Sequence, residues 1–439
     1  MTPLSRYNLS SGSGFVTRLF KSGAPAAVST TFALLIPILG RFYLNDQQYA
    51  AWALVATIAT IGLLIDFGGP SLAVRISGAG PVSYKRVFVL GGLSGGCSLI
   101  VGVVAALIWP IYSTHIAVEP PSGMQAMLLL TGIGAAFRSL LIVLAAIALG
   151  RERFVSRASN LILQVSMQCV IAWLLLAAGV GVIAMPLSIL ASCIPLLPFY
   201  LSDFRIGERK QSSRSAMLTA GASASRIDFL AEVKTFMAAR GAASFISLAF
   251  TQVDRWLIAL SADANFVANY DLAARIAVIP KTALLTLGLG FVHEAARLKL
   301  RSEVSSVLRK AYIVSAAVVL VGACATLGFG YLAYRIFEDQ VDPLFLLLLI
   351  LLLASNSAHA MTAPGVLVST GLGKPQFELV YLVPAAITGT VLGGIAVMTS
   401  SAWGTALAIA GSLFFWSSLF SLWVPHALRR ADVKLAMAS

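Results

Sequence analysis

The stretch "FTQVDRWLIAL" (250–260) sets Asp254 and Arg255 side by side in an otherwise apolar run. A charge at the centre of a bilayer-spanning helix costs roughly 2.5–3.5 kcal/mol, so those that are kept usually face the bundle interior or a wet cavity. Arg41, Arg138, Arg275 and Lys281 stand in comparable apolar surroundings, as do Asp66 and Asp271. Arg138, in "GAAFRSLLIV", and Lys281, in "RIAVIPKTALL", fall about halfway along their segments, and neither has an acid within a turn on its own helix. Both are expected to face a cavity. Pro280 directly precedes Lys281, which bends the helix and frees a backbone carbonyl.

Arg41, Arg255 and Arg275 lie in the outer third and are expected to form a cationic ring below the outer mouth. The competing reading is structural. Asp254 is adjacent to Arg255, and Asp271 stands four residues before Arg275, a spacing that allows an ion pair on one helix face. Asp66, in "LLIDFGGPSLAVR", is either a coupling-ion ligand or a helix-end carboxylate beside a Gly-Gly-Pro turn. Arg335, near an outer end, can snorkel and is set aside. The balance of the set is cationic, which favours an anionic substrate such as a phosphate or pyrophosphate, whose oxygens suit arginine's fork.

Two polar stripes accompany the charges. Asn160, Gln164 and Gln168 recur at four-residue steps, and "ASNSAHAMTAPG" (354–365), with Asn356 and His359, interrupts a leucine run. They either line a hydrophilic cavity suited to sugars or form interhelical hydrogen bonds. His359 alone is expected to be a packing residue.

What must position these residues follows from composition. The 439-residue chain is 58% hydrophobic and 11% charged, with a mean hydropathy of +0.88. That leaves too little polar surface to cover soluble domains. Apolar segments are expected at 24–43, 48–69, 87–111, 124–148, 158–179, 181–201, 236–260, 267–291, 309–334, 343–371, 378–398 and 402–424. Each is about the 20 residues that a helix needs to cross a hydrocarbon core. Ten-residue alternating segments of a β-barrel are not visible. The reading is an all-α integral membrane protein of about twelve spans.

The net charge of +13 is a topology signal rather than a nucleic-acid patch. Lys and Arg cluster in alternate connections, among them Arg151, Arg153 and Arg157, and Arg205, Arg209 and Lys210. The intervening loops ("LNDQQ", "STHIAVEPPSG", "AGVG", "SADAN", "EDQVD", "TSSA") carry none. By the positive-inside rule both termini are cytoplasmic, and the polar leader with the first span reads as a retained anchor.

Chemistry for an enzyme is missing. No GxxxxGK[ST] loop and no HExxH metal motif occurs. Cys97, Cys169, Cys193 and Cys324 lie inside spans without paired spacing and read as packing residues. The outer loops are too short to hold an extracellular reaction centre. No catalytic residue and no metal site is expected; the candidate cofactor is a coupling ion, Na+ or H+. "GGLSGG" (91–96) reads as close helix packing.

Residues 203–235 form the longest hydrophilic stretch, expected to be a cytoplasmic linker between an N-terminal six-helix bundle (1–202) and a C-terminal one (236–439). Internal similarity supports duplication. "LGRERF" (149–154) matches "LGKPQF" (372–377), "GRFYL" (40–44) matches "DRWLI" (254–258), and Arg75 matches Arg297. The offsets are 223, 214 and 222. Six spans is an even number, so the halves share one orientation and are expected to be related by a pseudo-twofold axis along the membrane normal.

These features resemble a known family. The first span ending in Arg41, "NDQQYAAWAL", "DFGGPSLAVR", "VDRWLIALSADANFVANYDLAARIAVIP" (253–280) and "LVSTGLGKPQF" (367–377) are similar to the O-antigen and polysaccharide flippases. Those are the Wzx-like branch of the multidrug/oligosaccharidyl-lipid/polysaccharide (MOP) superfamily. The resemblance implies two six-helix bundles arranged as a V. It also implies that a polyprenyl-pyrophosphate-linked oligosaccharide is moved across the bacterial inner membrane by alternating access. A polysaccharide polymerase and a chain-length regulator would then be partners, in O-antigen, lipopolysaccharide or exopolysaccharide assembly. The main rival is a MATE-like cation-coupled exporter of small molecules, whose intramembrane charges should be mostly acidic.

Overall fold

The computed structural model describes residues 32–64, 83–116, 121–151, 153–218, 252–284, 301–335, 340–371 and 375–436, with isolated positions between them. The described residues are helical throughout their regular structure. In chain order the helices are α1 (Phe32–Tyr43), α2 (Asp46–Leu64), α3 (Tyr84–Tyr112), α4 (Met124–Gly150), α5 (Phe154–Ala177) and α6 (Ala184–Leu218). They continue with α7 (252–259), α8 (Ala264–Ala277), α9 (Arg301–Arg335), α10 (Pro343–Ala360), α11 (Ala363–Gly371), α12 (Leu379–Met398) and α13 (Ala402–Ala436).

Eight helical segments among the described residues are long and apolar enough to cross a membrane. They fall on the third to sixth and ninth to twelfth expected spans; the other four expected spans are described only in part. Large apolar side chains face outward along them, as Leu107 (71% exposed), Leu422 (73%) and Met398 (86%) do. Such continuous apolar exposure marks a lipid-facing surface. The chain is a multi-pass membrane protein.

The expected linker departs from a simple loop. Helix α6 runs on through Leu218, so 203–218 continue the sixth span as helix. The reason is local: Glu208, Arg209, Lys210 and Gln211 are good helix formers, and no proline follows Pro198 in the helix. Residues 219–235 lie outside the described residues, as do Asp66, Arg75 and Arg297.

Acids in the lysine- and arginine-free loops cap the helices that follow. Asp263 accepts from the backbone N–H of Phe266 at 2.8 Å, and Asp342 from that of Leu344 at 2.8 Å, with Pro343 at the first helical position.

Small residues let α3 and α4 approach. A β-carbon on Gly102 would stand 2.7 Å from the Gly132 Cα, and one on Gly132 would stand 2.9 Å from the Gly102 Cα. Backbone meets backbone there, so neither side can yield without parting the helices. Gly102→Leu should therefore lower the melting temperature of purified protein, by overpacking of about 1–3 kcal/mol or more. Gly92→Ala, with nothing within 4 Å, should leave it unchanged. Equal melting of Gly102→Leu and wild type would refute this packing.

Four groups of buried apolar residues organise the interior, the smallest being Ala385, Ile409 and Leu413 of the second half. One mixes the chain's halves, joining Tyr49, Trp52 and Trp109 to Tyr270, Tyr334 and Phe345. A second belongs to the first half alone, from Leu72 to Phe204. A third belongs to the second half alone, from Leu284 to Leu428. The halves thus share a core toward one end and keep separate cores away from it. The shared core lies at the end that the charge pattern assigns to the outside.

Candidate functional site

Between the halves lies a cavity of about 790 Å³. Pro37, Thr60, Arg138 and Gln164 line it from the first half, and Asp254, Arg255, Arg275, Lys281, Asn356 and His359 from the second.

Broken helices build its second-half wall. Helix α8 ends at Ala277, Val278 turns, and 279–284 resume as helix, with Thr282 N–H bonded to the Val278 carbonyl at 3.0 Å. Pro280 has no N–H to continue the ladder, which is why the break falls there. Likewise α10 stops at Ala360, and α11 begins at Ala363 just ahead of Pro364. The His359 carbonyl at this break accepts from Thr362 N–H at 3.1 Å and from Thr362 Oγ1 at 2.7 Å. Irregular backbone at membrane depth is tolerated where it lines a cavity. Lys281 and His359 sit at these two breaks.

Arg138, on α4, donates through Nη1 to Gln168 Oε1 on α5 at 3.0 Å. Its buried Nε has no hydrogen-bond partner among the described residues. On the opposite wall Lys281 Nζ lies 3.3 Å from His359 Nδ1. Neither cation forms an ion pair among the described residues. Glu378, also on the wall, acts on Lys281 through space.

The outer-third arginines are arranged differently. Arg255 donates to Asp254 Oδ1 at 2.8 Å and to Asp271 Oδ1 at 2.9 Å. Arg275 donates to Asp271 Oδ2 at 2.7 Å, the i,i+4 pair that the spacing allows. Tyr270 donates to Asp254 Oδ2 at 2.9 Å. Two acids and two arginines make one compensated network, and Asp271 within it is fully buried (0% exposed). Arg41 stands apart from the cavity lining and pairs with Asp46 at the start of α2. The expected open ring of Arg41, Arg255 and Arg275 is thus, in the structure, a set of neutralised pairs. Asp46, too near the water to draw notice in the sequence, supplies the missing partner.

This network also joins the halves. Tyr49 on α2 donates to Asp271 at 3.2 Å, and the Arg275 guanidinium lies 5.4 Å from the Trp52 ring centre. Trp256, beside the charged pair, donates through Nε1 to Thr57 Oγ1 at 2.6 Å, and its carbonyl accepts from Tyr112 at 2.6 Å. Trp256 gave no signal in the sequence, because an aromatic near a helix end is common in membrane proteins. The cavity is closed at this end.

Of the polar stripes, Gln164 and Asn356 line the cavity. Asn160 and Gln168 stand outside its lining. Gln168 holds Arg138, and the Asn160 carbonyl accepts from Tyr200 at 2.7 Å. All three are buried, and a row of four-residue steps drifts around the helix axis, so only part of it meets the void. His359, expected to pack, bridges Lys281 and Tyr381 at the cavity surface.

No family model matches the sequence, and no curated protein does. Solved structures do. The lipid II flippase MurJ in its inward closed conformation is 12% identical, with a TM-score of 0.64 over 90% of this chain and 85% of that one. An inward-facing multidrug-resistance MATE transporter of the MOP superfamily is 16% identical, with a TM-score of 0.63 over 92% and 96%. The Vibrio cholerae MATE transporter VcmN in the bent form is 13% identical, with a TM-score of 0.61 over 96% and 98%. Identity this low speaks to architecture, and the coverage is nearly end to end: this chain has the fold of the MOP-superfamily transporters.

Proposed function

We propose that this protein is a flippase that moves a polyprenyl-pyrophosphate-linked oligosaccharide across the bacterial inner membrane by alternating access, for surface polysaccharide assembly. The observation that carries the reading is a pair of cations without ion-pair partners among the described residues, Arg138 and Lys281, on opposite walls of one cavity between the halves. A guanidinium whose buried Nε has no partner among the described residues and a lysine ammonium suit a pyrophosphate. Gln164, Ser355 and Asn356 offer hydrogen bonds to sugars. The prenyl tail remains in the bilayer.

In this reading two six-helix bundles, with both termini in the cytoplasm, rock about a pseudo-twofold axis. The closed end contributes the gate: the Asp254–Arg255–Asp271–Arg275 network with Tyr49 and Trp256 must part for the cavity to open outward. Arg41 serves the same end through Asp46. Asp254 and Asp271 act as ion pairs within the gate, and no coupling role is assigned to Asp66. A polymerase and a chain-length regulator are the expected partners.

The second reading, a MATE-like cation-coupled exporter, draws on the end-to-end likeness to MATE structures and on Asp254 and Glu378 in the cavity wall. One reconstitution separates the two. Proteoliposomes should translocate a fluorescent prenyl-pyrophosphoryl oligosaccharide, scored by loss of quenching from outside, and should not move ethidium down an imposed Na+ or H+ gradient. Ethidium transport without lipid translocation would establish the exporter instead.

A further inference from the structure

We propose that Lys281 and His359 form a proton-linked anion clamp, in which an entering phosphate group brings a proton onto His359. The inference rests on the anionic-substrate reading above and adds a coupling chemistry to it.

Hydrogen-bond direction sets the resting state. An ammonium has three donors and no acceptor, so His359 Nδ1, 3.3 Å from Lys281 Nζ, must accept. The ring proton then sits on Nε2 and is donated to the Tyr381 hydroxyl at 3.1 Å. Thr362 Oγ1 lies 3.1 Å from that hydroxyl and donates to the His359 carbonyl at 2.7 Å. Thr362 Oγ1 also reaches the Tyr381 hydroxyl as a donor, so its single proton is shared between that oxygen and the His359 carbonyl. The contact with the ammonium fixes the ring with Nδ1 toward the lysine and Nε2–H toward Tyr381. His359 is buried, so water does not readily substitute for these partners.

In that arrangement the pair holds one positive charge. Protonating His359 would set an Nδ1–H against the ammonium at hydrogen-bond distance, two donors and two charges face to face. A phosphate oxygen reverses the balance. It accepts from Lys281 Nζ and from His359 Nδ1–H together, and its negative charge offsets the second proton.

The other charges around the pair do not do this. Glu378 on the turn before α12 shares the wall, and its charge is felt at the lysine rather than at His359. Across the cavity Arg275 and Arg255 are engaged with Asp271 and Asp254, Tyr270 with Asp254, and Arg138 adds only positive charge. Helix α13 presents Ile409, Ala410 and Leu413 to the cavity, and Tyr312 of α9 is bonded to the Ser421 carbonyl at 3.2 Å. An entering anion is therefore the group that stabilises the second proton. Binding takes up a proton, and release on the far side returns it, so substrate flux and proton flux are tied.

The test is calorimetry of nanodisc-held protein with a short prenyl-pyrophosphoryl-N-acetylglucosamine. Each of its phosphates carries one ester and the shared anhydride bridge, so neither holds a proton that titrates near neutrality. Titrations in two buffers of different ionisation enthalpy at each pH give protons taken up per molecule bound. Wild type should bind with net proton uptake, and affinity should fall by roughly tenfold between about pH 6 and pH 8, since linkage allows at most tenfold per pH unit per proton. His359→Gln, which can still accept from Lys281 and donate to Tyr381, should bind at the weaker alkaline level throughout and take up no proton. Wild-type binding with no proton uptake overturns the clamp and leaves the anionic site standing. Proton uptake undiminished in His359→Gln also overturns it. No binding at all by wild type overturns the anionic-substrate reading, and the clamp with it. Should His359→Gln not fold, His359→Asn takes its place in the same two-buffer measurement.

Discussion

Arg138→Ala and Lys281→Ala should each lower translocation of the lipid-linked saccharide roughly tenfold or more, with folded protein near the wild-type level. The size follows from losing a hydrogen bond to a charged group, about 1.5–3 kcal/mol. Both side chains line the cavity and are only partly buried, so truncation mainly enlarges an existing space. The controls are conservative. Lys281→Arg keeps the charge without the point geometry and should retain more activity than Lys281→Ala, while Arg138→Lys loses the fork that grips two oxygens. Translocation normalised to folded protein, measured by size-exclusion of a fluorescent fusion, checks this. Full activity at full abundance in both Ala variants would remove the two residues from the path.

Asp271→Ala should act the opposite way, with little or no folded protein recovered. Asp271 is the shared acceptor for Arg255, Arg275 and Tyr49. Deleting it leaves Arg275 without an ion-pair partner among the described residues and takes from buried Arg255 one of its two acids there. Breaking a buried pair from one side costs about 3–5 kcal/mol, because the orphaned charge remains out of water. Asp46→Ala, which removes the half-exposed partner of Arg41, should cost less, about 0–1 kcal/mol. Thermal unfolding of the two variants in the same detergent compares them. If Asp271→Ala unfolds no earlier than Asp46→Ala, the network does not hold the closed end together.

The contrast between these two residue sets shows where sequence reasoning stopped. Arg138 and Lys281 were legible as cavity residues because their isolation is a property of one helix at a time: no acid lies within a turn. For Arg255 and Arg275 the nearby acids were visible, but not that one carboxylate serves both. That sharing joins α7 to α8, and Tyr49 adds a group from the other half. His359 looked like a packing residue because a lone histidine in a span has no local signature. Its neighbours arrive from a different helix break, 78 positions away along the chain.

The sequence by itself determined that the chain is helical and membrane-spanning, where its complete described spans fall, and that a helix breaks at Pro280. Those properties depend on hydropathy over some twenty residues, on prolines and on caps, all of which act within a turn or two. Tertiary structure alone decided which charges are spent on one another and which face the void. It set Gln168 behind Arg138, carried α6 on into the expected linker, and closed one end with Trp256 and Asp271. In a low-dielectric interior a charge is defined by what stands within a few ångströms of it, and that is fixed by helices meeting across the bundle rather than by order along the chain.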